Sequence, residues 1–177
     1  MKKFISMILI FITFLIIYFL QANFFNWFTI AGIMPNLFII LILFISLFIG
    51  TREGIISGIF FGMFIDIIIG KNIGTSTIMY GLVGILGGYF DKNFSKDSRI
   101  TIMLMVVGST CLYEIGTYIF SIAKSSVEIE ILSFIKVLSI EVIYNVILTI
   151  ILYPIIQKVG YKLEDTFKGQ KILTRYF

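Results

Sequence analysis

The chain contains no histidine, a single cysteine and two prolines among its 177 residues. Without histidine it has no imidazole for general acid–base catalysis or zinc ligation, and one cysteine cannot form a disulfide within the chain. Charged residues are scarce at 14%, whereas hydrophobic residues make up 59%. A soluble domain of this length could not bury so much apolar surface, because much of a small domain stays in contact with water. The composition therefore predicts a membrane protein without a soluble catalytic domain, and we expect no metal or cofactor.

Long uncharged runs divide the chain into candidate membrane spans. The 48 residues from Phe4 to Thr51 include no charge, and as one helix they would be about 70 Å long, roughly twice the hydrocarbon core. Polar residues around Pro35 break this run into two spans. The whole sequence predicts an all-α integral membrane protein, with a bundle of six transmembrane helices in residues 1–157 and a basic cytoplasmic tail in residues 158–177. The expected spans are about 4–20, 36–50, 54–69, 74–90, 100–123 and 131–157.

The basic residues predict how such a bundle is oriented. Six spans place both termini on one side, and 11 of the 14 basic residues fall on that side. These are Lys2, Lys3, Arg52, Lys92, Lys96, Arg99, Lys158, Lys162, Lys168, Lys171 and Arg175, whereas Lys71, Lys124 and Lys136 fall on the other. Because basic loops stay in the cytoplasm, we expect both termini to be cytoplasmic. Charges scattered in this way argue against nucleic-acid binding, and the basic tail could meet either anionic lipid or a cytoplasmic protein.

A glycine repeat on the third expected span is the strongest local pattern. Its members, spaced four residues apart, are Gly54, Gly58, Gly62, Asp66, Gly70 and Gly74. Residues at this spacing share one helix face, and small faces let helices approach closely in lipid. Two interpretations stay open here, packing inside the bundle and docking of a helix from a second protein.

Three carboxylates fall inside the expected spans: Asp66, Glu114 and Glu141. Each would add about 2.5–3.5 kcal/mol to the free energy of insertion, so each calls for a partner or for water. In the expected orientation Glu114, Glu141 and Asn145 form a polar cluster in the outer half of the membrane. All three carboxylates could be neutralised internally, by Lys71 or Lys136 or by protonation. Alternatively, they could form a site for a partner protein, a small ligand or a proton.

One stretch of the chain matches a known pattern. Pro35-Asn36-Leu37 precedes an apolar span, the glycine repeat then leads to Asp66, and a glycine-rich run follows from Tyr80 to Tyr89. This combination resembles the rod shape-determining protein MreD family, and the chain length, the number of spans and the basic tail agree with it. The positions matched to the family form a partner-binding or structural motif. They are Pro35, Asn36, Gly54, Gly58, Gly62 and Asp66.

The resemblance implies a non-catalytic, multi-pass subunit of the bacterial cell-elongation machinery in the cell membrane. Such a protein would bind the bitopic scaffold MreC and help couple MreB filaments, directly or indirectly, to peptidoglycan synthesis. The synthetic partners would be a RodA-like glycosyltransferase and a penicillin-binding transpeptidase. The resemblance also implies a fold like the six-helix substrate-binding subunits of energy-coupling-factor transporters.

That implied fold supplies the alternative function, a vitamin-binding subunit of such a transporter, with Glu114, Glu141 and Asn145 near its ligand. Those subunits typically carry an Ala-x3-Ala pair on the first helix for docking the transporter. The three alanines of this chain, Ala22, Ala31 and Ala123, form no such pair. The elongation subunit is therefore favoured over the transporter subunit, and over a proton-coupled carrier that uses Asp66 or Glu114.

Overall fold

The computed structural model describes residues 2–69, 74–125 and 130–169, and these form six helices without a strand. The helices are α1 (Lys2–Trp27), α2 (Leu37–Phe48), α3 (Thr51–Ile69), α4 (Thr75–Asn93), α5 (Arg99–Ser125) and α6 (Ile131–Phe167). Within α1, the segment Leu20–Phe24 is a π-helix. The prediction of an all-α protein is confirmed for these residues. The expected turn at 70–72, most of the loop at 124–130 and the end of the tail, 170–177, lie outside the described residues.

Local sequence explains how the hairpins between α2, α3 and α4 begin and end. Asn36 caps α2, since its side-chain oxygen accepts a hydrogen bond from the Ile39 backbone N–H at 3.4 Å. Gly50, between α2 and α3, has a φ of 148°, and Gly74, directly before α4, has a φ of 96°. Side chains disfavour both conformations, so glycine allows the chain to turn tightly at these two points.

The short helix α2 forms the centre of the bundle. Its 12 residues are all buried except Leu41, and they extend only about 18 Å, less than the hydrocarbon core of about 30 Å. The surrounding helices contribute core side chains that include Phe14 of α1, Phe61 of α3, Val83 of α4, Val106 of α5 and Tyr153 of α6. α2 is therefore shielded by protein on nearly all sides.

The first helix packs loosely on the outside of this core. Its buried side chains are Phe14 and Phe25, and Phe14 stacks on Phe61 with ring centroids 4.1 Å apart. Apolar cavities of about 320 and 280 Å³ separate α1 from its neighbours. Most of the apolar surface of α1 is thus left exposed, as expected for a helix that faces lipid.

Three of the described helices, α1, α5 and α6, are long and apolar enough to cross a membrane. α6 continues to Phe167, so the boundary expected between bundle and tail near residue 157 falls inside a continuous helix. The Lys3 ammonium lies 5.9 Å from the centroid of the Phe167 ring. The start of α1 and the end of α6 therefore share one end of the bundle, here called the terminal end. The opposite end, at Trp27 and the start of α6, is called the far end.

Candidate functional site

The glycine repeat of α3 packs directly against α4. A Cβ atom added at Gly58 would lie 2.3 Å from the Tyr80 carbonyl oxygen, and one added at Gly62 would lie 2.6 Å from the Ser76 carbonyl oxygen. These gaps are too small for any side chain unless the backbone moves. The glycine face is therefore occupied by α4 of the same chain.

A buried serine joins α2 to the same two helices. The Ser46 hydroxyl donates a hydrogen bond to the Gly84 carbonyl at 2.6 Å. A Cβ added at Gly54 would lie 2.4 Å from the Ser46 Cβ, and one added at Gly87 would lie 2.7 Å from it. Small residues on α3 and α4 thus allow three helices to meet around one hydroxyl group, whose hydrogen bond is made inside the protein.

Asp66, the carboxylate that continues the repeat, caps the start of α4. Its Oδ2 accepts hydrogen bonds from the backbone N–H groups of Gly74 and Thr77, both at 2.9 Å, and from the Thr77 hydroxyl at 2.7 Å. Its Oδ1 accepts from the Ser76 N–H at 3.1 Å. The first N–H groups of a helix have no partner within the helix and carry partial positive charge, so they stabilise a carboxylate there.

For Asp66, this cap supplies the partner that a carboxylate inside an expected span calls for. Lys136 is exposed and joins none of the salt bridges among residues 2–69, 74–125 and 130–169. Lys71 lies outside the described residues. The partners that the structure shows for Asp66 are the hydrogen-bond donors at the start of α4.

Asn36, from the Pro35–Asn36 pair, enters a buried polar network. Its backbone N–H donates to the Asn145 side-chain oxygen at 2.8 Å, and the Tyr80 hydroxyl donates to its side-chain oxygen at 3.1 Å. The Asn145 amide in turn donates to the Thr110 hydroxyl at 3.0 Å. Non-helical backbone inside a membrane protein requires such partners, because lipid offers none. Asn145 therefore supplies the hydrogen-bond acceptor for the backbone N–H of Asn36, directly before α2.

Glu114 and Glu141 meet between α5 and α6. The two carboxyl groups lie close to each other, and Glu141 also lies near Asn145. Glu141 is only 7% exposed. Tyr144, which the sequence places at a similar depth, instead donates its hydroxyl to the Phe28 carbonyl at 2.6 Å.

A cluster of four charged residues at the terminal end is not apparent from the sequence. The Lys96 ammonium lies 3.0 Å from Asp91 and 2.7 Å from Glu164, and the Lys168 ammonium lies 2.6 Å from Asp91. Both ammonium groups also donate to the Leu47 carbonyl, at 3.1 and 3.2 Å. Leu47 is in the last turn of α2, where carbonyl groups lack helical partners and attract cations. The cluster therefore ties the end of α2 to α4 and α6.

The electrostatics of this cluster depend on both lysines. Burial by itself would raise the pKa of Asp91, but the hydrogen bonds from Lys168 and Lys96 outweigh it and hold the pKa below its ordinary value. Lys168, which the sequence groups with the basic tail, has its ammonium held at the terminal end of the bundle by Asp91 and the Leu47 carbonyl. The spacing of Glu164 and Lys168, four residues apart, was the one signal of this contact.

These features define the class of the protein. It is an all-helical membrane protein in which most of the polar groups described above make hydrogen bonds or salt bridges to one another. The sequence model of the family described as rod shape-determining protein MreD matches residues 1–162. The chain therefore belongs to the MreD family, as its Pro35–Tyr89 pattern indicated, and that family is one of rod shape-determining membrane proteins. Neither the curated proteins nor the solved structures include a significant match.

Proposed function

We propose that the protein is a non-catalytic subunit of the bacterial cell-elongation machinery. It binds an MreC-like bitopic scaffold and helps couple MreB filaments to a RodA-like glycosyltransferase and a penicillin-binding transpeptidase. The observation that carries this proposal is the family match over residues 1–162, which includes α1 to α5 and most of α6. The match also favours shape determination over the alternative of a vitamin-binding transporter subunit.

The geometry supports an indirect role for the partner-binding or structural motif. Its members, Pro35, Asn36, Gly54, Gly58, Gly62 and Asp66, include three glycines that pack on α2 or α4, a carboxylate that caps α4 and an asparagine in a buried network. We infer that the motif shapes the bundle and that the scaffold contacts other, exposed surfaces.

The proposed placement has six membrane spans, with the terminal end in the cytoplasm. It is supported by the excess of basic residues at that end. Since Cys111 is the single cysteine, a Cys111→Ala background allows new cysteines to be placed at exposed Thr29, near the far end, and Ser95, at the terminal end. A membrane-impermeant maleimide should label Thr29→Cys in intact cells and should label Ser95→Cys only after lysis. The opposite pattern would overturn the orientation.

The functional test is affinity purification of the tagged full chain from gently solubilised native membranes, with mass spectrometry of the proteins recovered. We expect a single-span scaffold together with the glycosyltransferase and the transpeptidase, and we expect depletion of the protein to round the cells. Recovery of paired ATPases with a large membrane coupling subunit would instead establish the transporter function. Unchanged cell width after depletion would also contradict the proposal.

A further inference from the structure

The larger of the two cavities beside α1 lies in the half of the bundle near the terminal end. Its volume of about 320 Å³ is within the range of ligand pockets, about 300–1,000 Å³. Its walls come from α1, α2 and α3, and Phe167 at the end of α6 also lines it. We call it the α1–α3 cavity.

The α1–α3 cavity calls for an apolar occupant. The described residues that line it are hydrophobic except Glu53 and Ser57. The Ser57 hydroxyl donates to the Gly54 carbonyl of its own helix at 3.0 Å, so it is already paired. An apolar cavity offers water too few hydrogen bonds and stays dry, and an empty one forfeits the van der Waals contacts of its walls. The acyl chain of a membrane lipid would restore those contacts.

The cavity is open to the side, between α1 and α3. Phe11 of α1 and Phe60 of α3 line it, and both are also exposed at the surface of the bundle. Phe61 is the lining residue farthest along α3, and it stacks on Phe14, which closes the cavity toward the far end. An acyl chain could therefore enter from the surrounding lipid without unfolding a helix.

Basic side chains stand where the headgroup of such a lipid would lie. The Lys3 ammonium is 5.9 Å from the centroid of the Phe167 ring, which lines the cavity. Arg52, in the first turn of α3, directly precedes Glu53. Both cations are exposed, and neither joins a salt bridge within residues 2–69, 74–125 and 130–169. The carboxylate of Glu53 is turned toward Gly50, so the two cations are left to attract an anionic group.

We propose that the α1–α3 cavity binds one acyl chain of an anionic phospholipid, whose phosphate group is held by Lys3 and Arg52. The charge complementarity at the terminal end selects the headgroup, since basic side chains pair strongly with phosphate oxygens. The bound chain fills the space between α1 and the rest of the bundle. The loosely packed first helix is thus attached partly through a lipid.

The first test is native mass spectrometry of the purified full chain in detergent with an equimolar mixture of phosphatidylglycerol and phosphatidylcholine that carry the same acyl chains. The wild type should retain one lipid after loosely bound lipids are removed, with a several-fold preference for phosphatidylglycerol. The Lys3→Gln, Arg52→Gln double variant should lose this preference. Lys136→Gln, which removes an exposed lysine near the far end, should keep it. A wild type without a retained lipid, or without the preference, would overturn the proposal.

A matched pair of leucine variants tests where the acyl chain lies. Ser57→Leu adds bulk inside the α1–α3 cavity, whereas Thr13→Leu adds bulk to the 280 Å³ cavity on the other side of α1. The Thr13 hydroxyl, like that of Ser57, bonds to a carbonyl of its own helix. Ser57→Leu should lose the retained lipid and Thr13→Leu should keep it, and the reverse result would refute the assigned cavity. The glutamine double variant changes two exposed side chains, so it tests the headgroup contact even if Ser57→Leu does not fold.

Purification of the native complex tests a protein helix as the occupant instead. If the wild type retains no lipid, and Ser57→Leu loses a membrane partner that Thr13→Leu recovers, the cavity seats a helix of that partner and the lipid proposal is wrong. Because the lipid test uses the chain by itself, its result is independent of whether the elongation partners are recovered.

Discussion

Replacing Asp66 by alanine should destabilise the protein by about 2–4 kcal/mol, because it removes the cap of α4 together with the acceptor of four hydrogen bonds. Loss of a capping side chain alone costs about 0.5–2 kcal/mol. The rest comes from the N–H groups of Gly74, Ser76 and Thr77, which lose their acceptor. These donors are only partly buried, so water can replace part of the loss.

Asp66→Asn is the matched control, because it retains one side-chain oxygen. That oxygen can still accept the three hydrogen bonds now made by Oδ2, whereas the new amide group would face the Ser76 N–H as a second donor. We expect this variant to lose about 1–2 kcal/mol, roughly half the loss of the alanine variant. The order of stability should therefore be aspartate, asparagine, alanine.

Equilibrium unfolding in mixed micelles with increasing sodium dodecyl sulfate measures these differences. The thiol of Cys111 is partly buried in α5, so its reaction with a maleimide dye reports unfolding. An alanine variant as stable as the wild type would refute the capping role. An asparagine variant as unstable as the alanine variant would show that charge, rather than the hydrogen-bond acceptor, is what matters.

Of three further predictions, those for Gly58 and Asn145 use the same assay, and the one for Asp91 follows the Tm as the pH is lowered. Gly58→Ala should destabilise the protein by about 1–3 kcal/mol, because the added methyl group would overlap with α4. The control Gly108→Ala, whose added Cβ meets a single ring atom at 3.5 Å, should be neutral or stabilising by up to about 1 kcal/mol. Equal effects of the two substitutions would contradict the tight α3–α4 contact. The lowered pKa of Asp91 means that its stabilisation is present at neutral pH and is lost as the pH falls below about 4. The wild type should then lose Tm faster on acidification than Asp91→Asn, and parallel curves would argue against the cluster. Asn145→Ala leaves two buried donors or acceptors unpaired, so it should cost about 2–4 kcal/mol, and an unchanged midpoint would remove Asn145 from the core network.

Features that depend on residues close together in the chain were predicted best from the sequence. The apolar runs and the breaks between them located six helices, because helix formation depends on residues close together in the chain. The four-residue spacing of Gly54, Gly58 and Gly62 put them on one face, as the structure has them. The length of α6 did not follow from the apolar run, since the helix passes through the expected boundary near residue 157. Hydrophobicity falls at the membrane surface, but a helix stabilised by tertiary contacts, as at Lys168, continues beyond it.

Contacts between residues far apart in the sequence could be identified only from the tertiary structure. The sequence showed that Asp66 needs a partner inside the bundle, but its partners include three backbone N–H groups, which every residue except proline possesses and no motif marks. Likewise the sequence showed Lys96 as a basic loop residue, without indicating that it lies 2.7 Å from Glu164.

By itself, then, the sequence determined that this is a helical membrane protein and a member of the MreD family. Composition, local periodicity and short motifs carry that information. Only the tertiary structure decided that α4 fills the glycine face, that two lysines hold the end of α2, and that Glu114 and Glu141 lie close together between α5 and α6. Each of these contacts depends on how helices far apart in the chain are brought together, and no residue type specifies its distant neighbour.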